Sequence, residues 1–324
     1  MDKTSNATDK ELLEILHSLS TSKELIKTTT PTTPKEHLAL LGYIWKNKTV
    51  EKEEAFLHVC LHDLMASKEN ADIAVFLGWM VRCSLSSILS INLARELEPP
   101  YRIRATLSPG NLLLPIEYYL NSKLRDSDVW KAYERLVSTC SIELGLPFLY
   151  KAIDAEISLA AAFTKPCQHI AQSKHGSSWN SWMPEFEWSA FMSGLDIDKG
   201  WERRIWSINA PEQVKSILKW LCSANKESIL AVLALHLISF SAELFRPAIK
   251  DANTALFRKS LYGIHKELSL EVKMLSMTKK LLPDALCALY SKQHCNSKVL
   301  ANIKGFVSRL HGSAIDYMQN STFL

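Results

Sequence analysis

Apolar positions recur every three or four residues over most of this chain, the spacing that gathers them on one face of an α-helix. Leu12, Leu13, Leu16 and Leu19 follow Thr8-Asp9-Lys10-Glu11, a capping box whose hydroxyl and carboxylate satisfy first-turn amides. Thr28 to Thr33, stiff threonines around Pro31, read as a linker, and Pro34 reopens a helix at its first position. The expected organisation is an N-terminal helix and linker over 1–30, then a single large helical domain over 31–324. Glu51, Glu53 and Glu54 crowd the first turn of the next helix, where the helix dipole favours negative charge.

One region breaks the helical period. Ile88 to Arg95 and Tyr101 to Leu107 flank Glu98-Pro99-Pro100, and Tyr101 to Ala105 alternate, which predicts a small β-hairpin around 88–107. Helices resume afterwards. Asp128 to Leu144 stops at Gly145, and Pro147 starts a helix with Leu149, Ile153, Ile157 and Ala160 on one face. Pro184 to Ser193 stops at Gly194, and Asn209-Ala210-Pro211-Glu212 reads as another capping box. Apolar-periodic segments then cover 226–250, 252–262, 268–281, 284–293 and 296–319. The fold class is all-α, a mainly helical bundle with one hairpin.

Composition narrows the class. Hydrophobic residues make up 47% and charged ones 22%, the balance of a folded globular chain. A net charge of +4, with no basic stripe, argues against nucleic acid as a partner. The most apolar run, Ile229 to Phe240, is interrupted by His236 and falls short of the ~20 residues of a membrane span. It predicts a buried helix. The seven cysteines lack CxxC spacing and the polar N-terminus resembles no export signal, so reduced thiols and a cytoplasmic location are expected.

Several short runs, taken in order, resemble the neprilysin and endothelin-converting-enzyme family of zinc peptidases. Leu107 to Leu120, with Gly110, Leu114-Pro115 and Tyr118-Tyr119, is similar to a family pattern that also follows a hairpin. Ala55-Phe56-Leu57 to Cys60-Leu61, Pro184 to Trp188, Pro211 to Leu221 and Leu282 to Tyr290 resemble further family elements in the family's order. The resemblance covers roughly residues 55–320 and implies the helical domain that caps the peptidases' catalytic domain. It also implies that Tyr118, Tyr119 and Trp188 hold the fold. The family's zinc motif, HExxH, does not occur in these 324 residues, so proteolysis by the family mechanism is not expected of them.

The remaining chemistry is sparse. His58 and His62 have i, i+4 spacing but no intervening carboxylate, and Cys167-Gln168-His169 with His294-Cys295 could meet only through tertiary structure. No metal site and no cofactor are expected. Nucleotide loops and a Gly-x-Ser-x-Gly elbow are missing from the sequence. Lys165 to Trp206 is the most unusual stretch, with His169, His175, Trp179, Trp182, Trp188, Trp201 and Trp206 among Lys165, Lys174, Arg203 and Arg204. Indoles join a large apolar face to a donor N–H, which suits planar ligands as well as core packing.

The leading expectation is therefore a cofactor-independent enzyme of specialised metabolism that binds an apolar or aromatic small molecule. Positioning alone can remove about 7–11 kcal/mol from a cyclisation or (hetero-)Diels–Alder barrier. Its candidate residues are His169 and His175 as catalytic donors, with Trp179, Trp182, Trp206, Tyr118 and Arg203 as ligand contacts. The alternative is a catalytically inactive pseudopeptidase domain that binds a peptide or protein partner. The sequence leaves the oligomeric state open.

Overall fold

The computed structural model describes residues 50–67, 69–85, 87–95, 103–164, 172–197 and 199–265, scattered positions of 272–279, and residues 283–294 and 296–320. Val50–His265 form one compact unit; the described residues beyond His265 belong to a second. The predicted starts at Thr8 and Pro34, and the boundary at residue 30, lie outside the described residues.

Helices α1 (Val50–Ala66) and α2 (Asn70–Arg82) precede a hairpin of β1 (Leu89–Arg95) and β2 (Ile103–Pro109). Then come α3 (Ile116–Leu120), α4 (Asp128–Leu144) and α5 (Lys151–Phe163). A short strand, β3 (Gln172–His175), leads into α6 (Trp179–Trp182) and α7 (Trp188–Gly194), and a second, β4 (Ile205–Ile208), into α8 (Pro211–Ser223) and α9 (Lys226–Phe240). The unit closes with α10 (Pro247–Thr254) and a π-helical segment, Ala255–Leu261. In the second unit lie α11 (Pro283–His294) and α12 (Ser297–Asn320). No helix among the described residues is long and apolar enough to cross a membrane.

Local signals account for several boundaries. Ser127 caps α4, its hydroxyl accepting from the Trp130 N–H at 3.3 Å, and Gly145 ends that helix at φ +65°. Asn225 caps α9 by accepting from the Glu227 N–H at 2.9 Å. The capping box expected at Asn209 does not form. The Asn209 N–H donates instead to the Leu107 carbonyl at 2.8 Å, which prolongs the strand, and Ala210 at φ +47° turns the chain into α8.

Helix α9 is buried continuously from Ile229 to Ser239, as its all-round apolar sequence requires, and packs mainly on α5. The inward face of α5 differs from the one expected. Ala152, Ala155, Glu156, Leu159 and Ala160 are buried, whereas Ile153 and Ile157 lie half-buried beside them. Alanines let α9 approach closely and leave room for one carboxylate.

The hairpin is confirmed, with Leu89 opposite Pro109 and Arg95 opposite Ile103, but it belongs to a four-stranded sheet of order β1-β2-β4-β3. Strands β3 and β4 are corrections to the sequence reading. Each has four residues and no clean alternation, and each is stabilised by pairing far along the chain rather than by local pattern. Four indoles, Trp179, Trp188, Trp201 and Trp206, pack beneath this part of the fold, with ring centroids 4.5–6.1 Å from Trp179.

Helices α2 and α7 cross where Gly78 meets Gly194. A Cβ on Gly78 would stand 2.2 Å from the Phe191 carbonyl oxygen, a backbone atom that cannot swing aside. Gly78→Ala is therefore expected to part the two helices and to cost about 1–3 kcal/mol, read as a lower urea midpoint. An unchanged midpoint would show that the crossing tolerates a methyl group.

Candidate functional site

Two constellations gather polar chemistry in the Val50–His265 unit. The first is buried. Glu156 on α5 is fully enclosed, and its carboxylate accepts from His236 Nε2 of α9 at 2.6 Å, Tyr119 OH of α3 at 2.9 Å and Tyr133 OH of α4 at 2.5 Å. The Leu113 N–H adds a fourth donor at 3.3 Å, and the Leu114 N–H donates to the Tyr119 oxygen at 3.0 Å. On the far side of the imidazole, His236 Nδ1 lies 3.1 Å from Ser87 Oγ, just before the hairpin.

Serine, histidine and glutamate in hydrogen-bonded series are the parts of a hydrolytic triad, in which the hydroxyl must also face a substrate. Here Ser87, His236 and Glu156 all have zero exposure. The carboxylate is saturated by donors from four segments, and the arrangement acts as a polar clamp. Burial by itself pushes the Glu156 carboxyl up; the hydrogen bond and charge of His236, then the Tyr133 and Tyr119 hydroxyls, outweigh it and hold the group below the usual carboxylate range. Burial, followed by the charge of Glu156, raises both phenols well above their ordinary value, so they stay protonated as donors.

The second constellation is open. Strands β2 and β4 pair only at Thr106–Ser207 and Leu107–Ile208. Beyond that short ladder lies a cleft of about 540 Å³, with Arg104 and Ala105 on one side and Arg203, Arg204, Ile205 and Trp206 on the other. Ile91 and Leu93 of β1 and Leu195 and Ile197 after α7 supply apolar wall, and His175 ends β3 at the rim. The Arg104 guanidinium donates to Ser173 Oγ on β3 at 2.6 Å.

The turn that carries the other two arginines is held by its backbone. The Arg203 N–H donates to the Gly200 carbonyl, the Arg204 N–H to Trp201, and the Gly176 N–H to Arg204 at 3.0 Å. Gly176 permits this approach, since a Cβ there would lie 2.3 Å from the Trp201 carbonyl oxygen. The Trp206 indole N–H donates to that same carbonyl at 3.1 Å.

The structure thus brings together His175, Arg203 and Trp206 of the residues expected from sequence. Trp179 is enclosed by other indoles, filling the core behind Trp206. Trp182 is half-buried, with the Lys174 ammonium 5.8 Å from its ring centroid. Tyr118 packs at the edge of the core on α3, outside the cleft lining. His169 lies outside the described residues. Sequence reasoning passed over Arg104, Leu93 and Ile91, although an alternating Arg-Ile-Arg strand and an apolar strand opposite it were both legible.

Size alone does not select this cleft. A concavity of about 690 Å³ lies between α1 and α2, and one of about 640 Å³ lies over Gly110 to Ile116. In the former, Arg82 is engaged by Asp196 at 3.0 Å; the latter is lined almost wholly by apolar side chains. Of these three, the sheet cleft alone combines apolar wall with more than one arginine in its lining. His58 and His62 face the side chains of Glu54 and Asp63 at 3.7 Å, and no group of three metal-binding side chains occurs among the described residues.

The mainly helical fold with its small sheet is that of the N-terminal domain of a metallopeptidase-type architecture. The chain belongs to peptidase family M13: the N-terminal-domain model of that family matches residues 2–324. Among solved structures, the Mycobacterium tuberculosis zinc metalloprotease Zmp1 in its open state is similar, with a TM-score of 0.78 at 14% identity over 98% of this chain and 50% of that one. Zmp1 in complex with an inhibitor gives 0.77 at 13% identity, covering 98% and 49%. PepO from Lactobacillus rhamnosis gives 0.69 at 12% identity, covering 100% and 52%. At these identities the likeness is one of fold. This chain spans about half the length of those proteins. No curated protein sequence matches it.

The clamp generates a prediction with a defined sign. Glu156→Gln leaves His236 without its carboxylate and is expected to cost about 3–5 kcal/mol in urea unfolding. Because the folded carboxyl is held below 4.5, its contribution is fully present above that pH and is lost as pH falls through the folded value. The gap between wild type and variant should therefore narrow on acidification below about pH 4.5. A gap that is constant from pH 7 to pH 3 would mean that Glu156 is not ionised in the fold.

Proposed function

We propose that this chain is a ligand-recognition domain built on the helical half of the M13 fold, holding an apolar small molecule in the sheet cleft. One observation carries the reading: a cleft of about 540 Å³ in which Ile91, Leu93, Leu195, Ile197 and Ile205 supply apolar wall beside arginines and His175. That volume falls within the roughly 300–1,000 Å³ typical of small-molecule sites. Zmp1 and PepO are the relevant comparison for architecture, and HExxH is missing from these 324 residues, so the reading assigns binding rather than peptide hydrolysis.

The cyclisation chemistry expected from sequence took His169 and His175 as donors and Trp179, Trp182 and Trp206 among the ligand contacts. The Trp206 N–H is already bound to Trp201, and Trp179 is enclosed. Binding is accordingly the function adopted, with His175 at the rim of the cleft and His169 outside the described residues.

N-Phenyl-1-naphthylamine, neutral and apolar, tests the reading by its fluorescence gain on leaving water. Saturable enhancement is expected, with affinity weakened roughly tenfold by Leu93→Glu, which removes about 1.5 kcal/mol of apolar contact. Leu93 is 75% exposed, so the change should not disturb folding. Ile142→Glu, at a site equally exposed and remote from the cleft lining, serves as the control. Lack of saturable binding, or equal effects of the two variants, would sink the proposal.

A peptide- or protein-binding role is the second reading, favoured by the α1–α2 groove. There Phe56 and Val59 lie on one face of α1 with 60% and 56% exposure. Peptides selected by phage display on the immobilised protein should then lose binding to Val59→Asp and keep it to Leu93→Glu. The opposite pattern would return any selected peptide to the sheet cleft.

A further inference from the structure

Resting on the recognition role proposed above, we infer that the sheet cleft takes an apolar ligand bearing a carboxylate, with Arg203 and Arg204 as the residues that capture the anion. The argument is one of charge and geometry. Arg203 and Arg204 line one cleft, and no carboxylate is among its described lining residues. Among the described acids nearby, Asp196 is engaged by Arg82 at 3.0 Å, and Glu202 lies exposed in the turn between Trp201 and Arg203. Like charges gathered beside low-dielectric walls repel one another and focus a positive potential into the space between them. An entering anion relieves that repulsion, whereas a neutral guest does not.

The cations are not equivalent. Arg104 donates to Ser173 on β3 and has a further partner, so it is not counted as a charge open to the ligand. Arg203 and Arg204 are exposed and have no ion pair among the described residues. Their backbone is fixed by the Gly200, Trp201 and Gly176 hydrogen bonds, so two guanidinium stems leave a rigid turn at the mouth of an apolar cleft. A guanidinium fork matches the two oxygens of a carboxylate, and a fixed backbone reduces the ordering cost of forming that pair. The apolar portion of the ligand would then lie along Ile205 and Leu93, which are 41% and 75% exposed. A free organic acid fits the limited volume; a peptide C-terminus presents the same head group and is distinguished below.

The test compares 2-naphthoate with 2-naphthamide, equal in shape and different in charge, by calorimetric titration of the whole chain at low salt. Naphthoate is expected to bind roughly tenfold tighter, and the advantage should shrink as NaCl is raised, because exposed charges are screened. The double variant R203Q/R204Q should bring naphthoate down to the affinity that the same variant shows for the amide. Equal affinities of acid and amide in the wild type would overturn the inference, as would a preference for the acid that survives the double variant. An N-acetylated apolar dipeptide with a free C-terminus should bind more weakly than naphthoate; tighter binding would replace the free acid with a peptide end. If the neutral naphthylamine also fails to bind, the recognition role itself falls, and that outcome differs from selective loss of the acid's advantage.

Discussion

A carboxylate shut away from water must be given donors or give up its charge, and Glu156 is given four. An ionised group in so apolar a setting costs several kcal/mol to desolvate, and only well-placed hydrogen bonds offset that cost. The donors come from α3, α4, α9 and the loop before α3, so the requirement fixes four segments relative to α5 at once. A helix as uniformly apolar as α9 has no preferred rotation from hydrophobicity alone. His236 supplies one, because its ring must face Glu156. Whatever the clamp's net contribution to stability, it removes alternative packings of greasy surfaces.

The clamp reaches the hairpin through Ser87, beside His236 Nδ1. From that fixed root the strands extend past the core. Leu89 and Leu107 are buried at its inner end, whereas Leu93 further along is largely exposed. Pairing between β2 and β4 stops after two residue pairs, where β4 is instead tied to β3 and to the Trp201–Arg204 turn. The cleft is the consequence of these two attachments. One side belongs to the hairpin, the other to the tryptophan-packed turn, and neither supplies enough side chain to fill the gap.

How far the sequence disclosed this depended on the range of the interaction responsible. Helix α4 was legible from end to end because Ser127, its own apolar period and Gly145 act within neighbouring turns. The burial of α9 was legible from composition. The inward face of α5 was not, because Glu156 stands among its buried positions and its partner His236 is eighty residues away. Strand β3, Gln172-Ser173-Lys174-His175, has no apolar pattern and owes its state to backbone pairing with β4. At the site, the tryptophan-rich stretch was a true signal of dense packing. Which indole fills and which one borders a space is decided by their mutual contacts, and those place Trp179 inside and Trp206 at the boundary.

This division bears on the proposed recognition role. An indole at the edge of a cavity is a useful wall only if it cannot collapse into the space it borders. Trp206 is held by Trp179 at 5.3 Å behind its ring and by its own N–H on the Trp201 carbonyl. The same carbonyl lies against Gly176 and heads the turn that presents Arg203 and Arg204. Apolar wall and cationic rim are therefore parts of one braced unit, and a guest would find both in register without inducing them. Preorganisation of this kind lowers the entropic cost of binding and raises discrimination between guests that differ by a single charge. In this M13 domain, that discrimination is what the proposed recognition role would draw on.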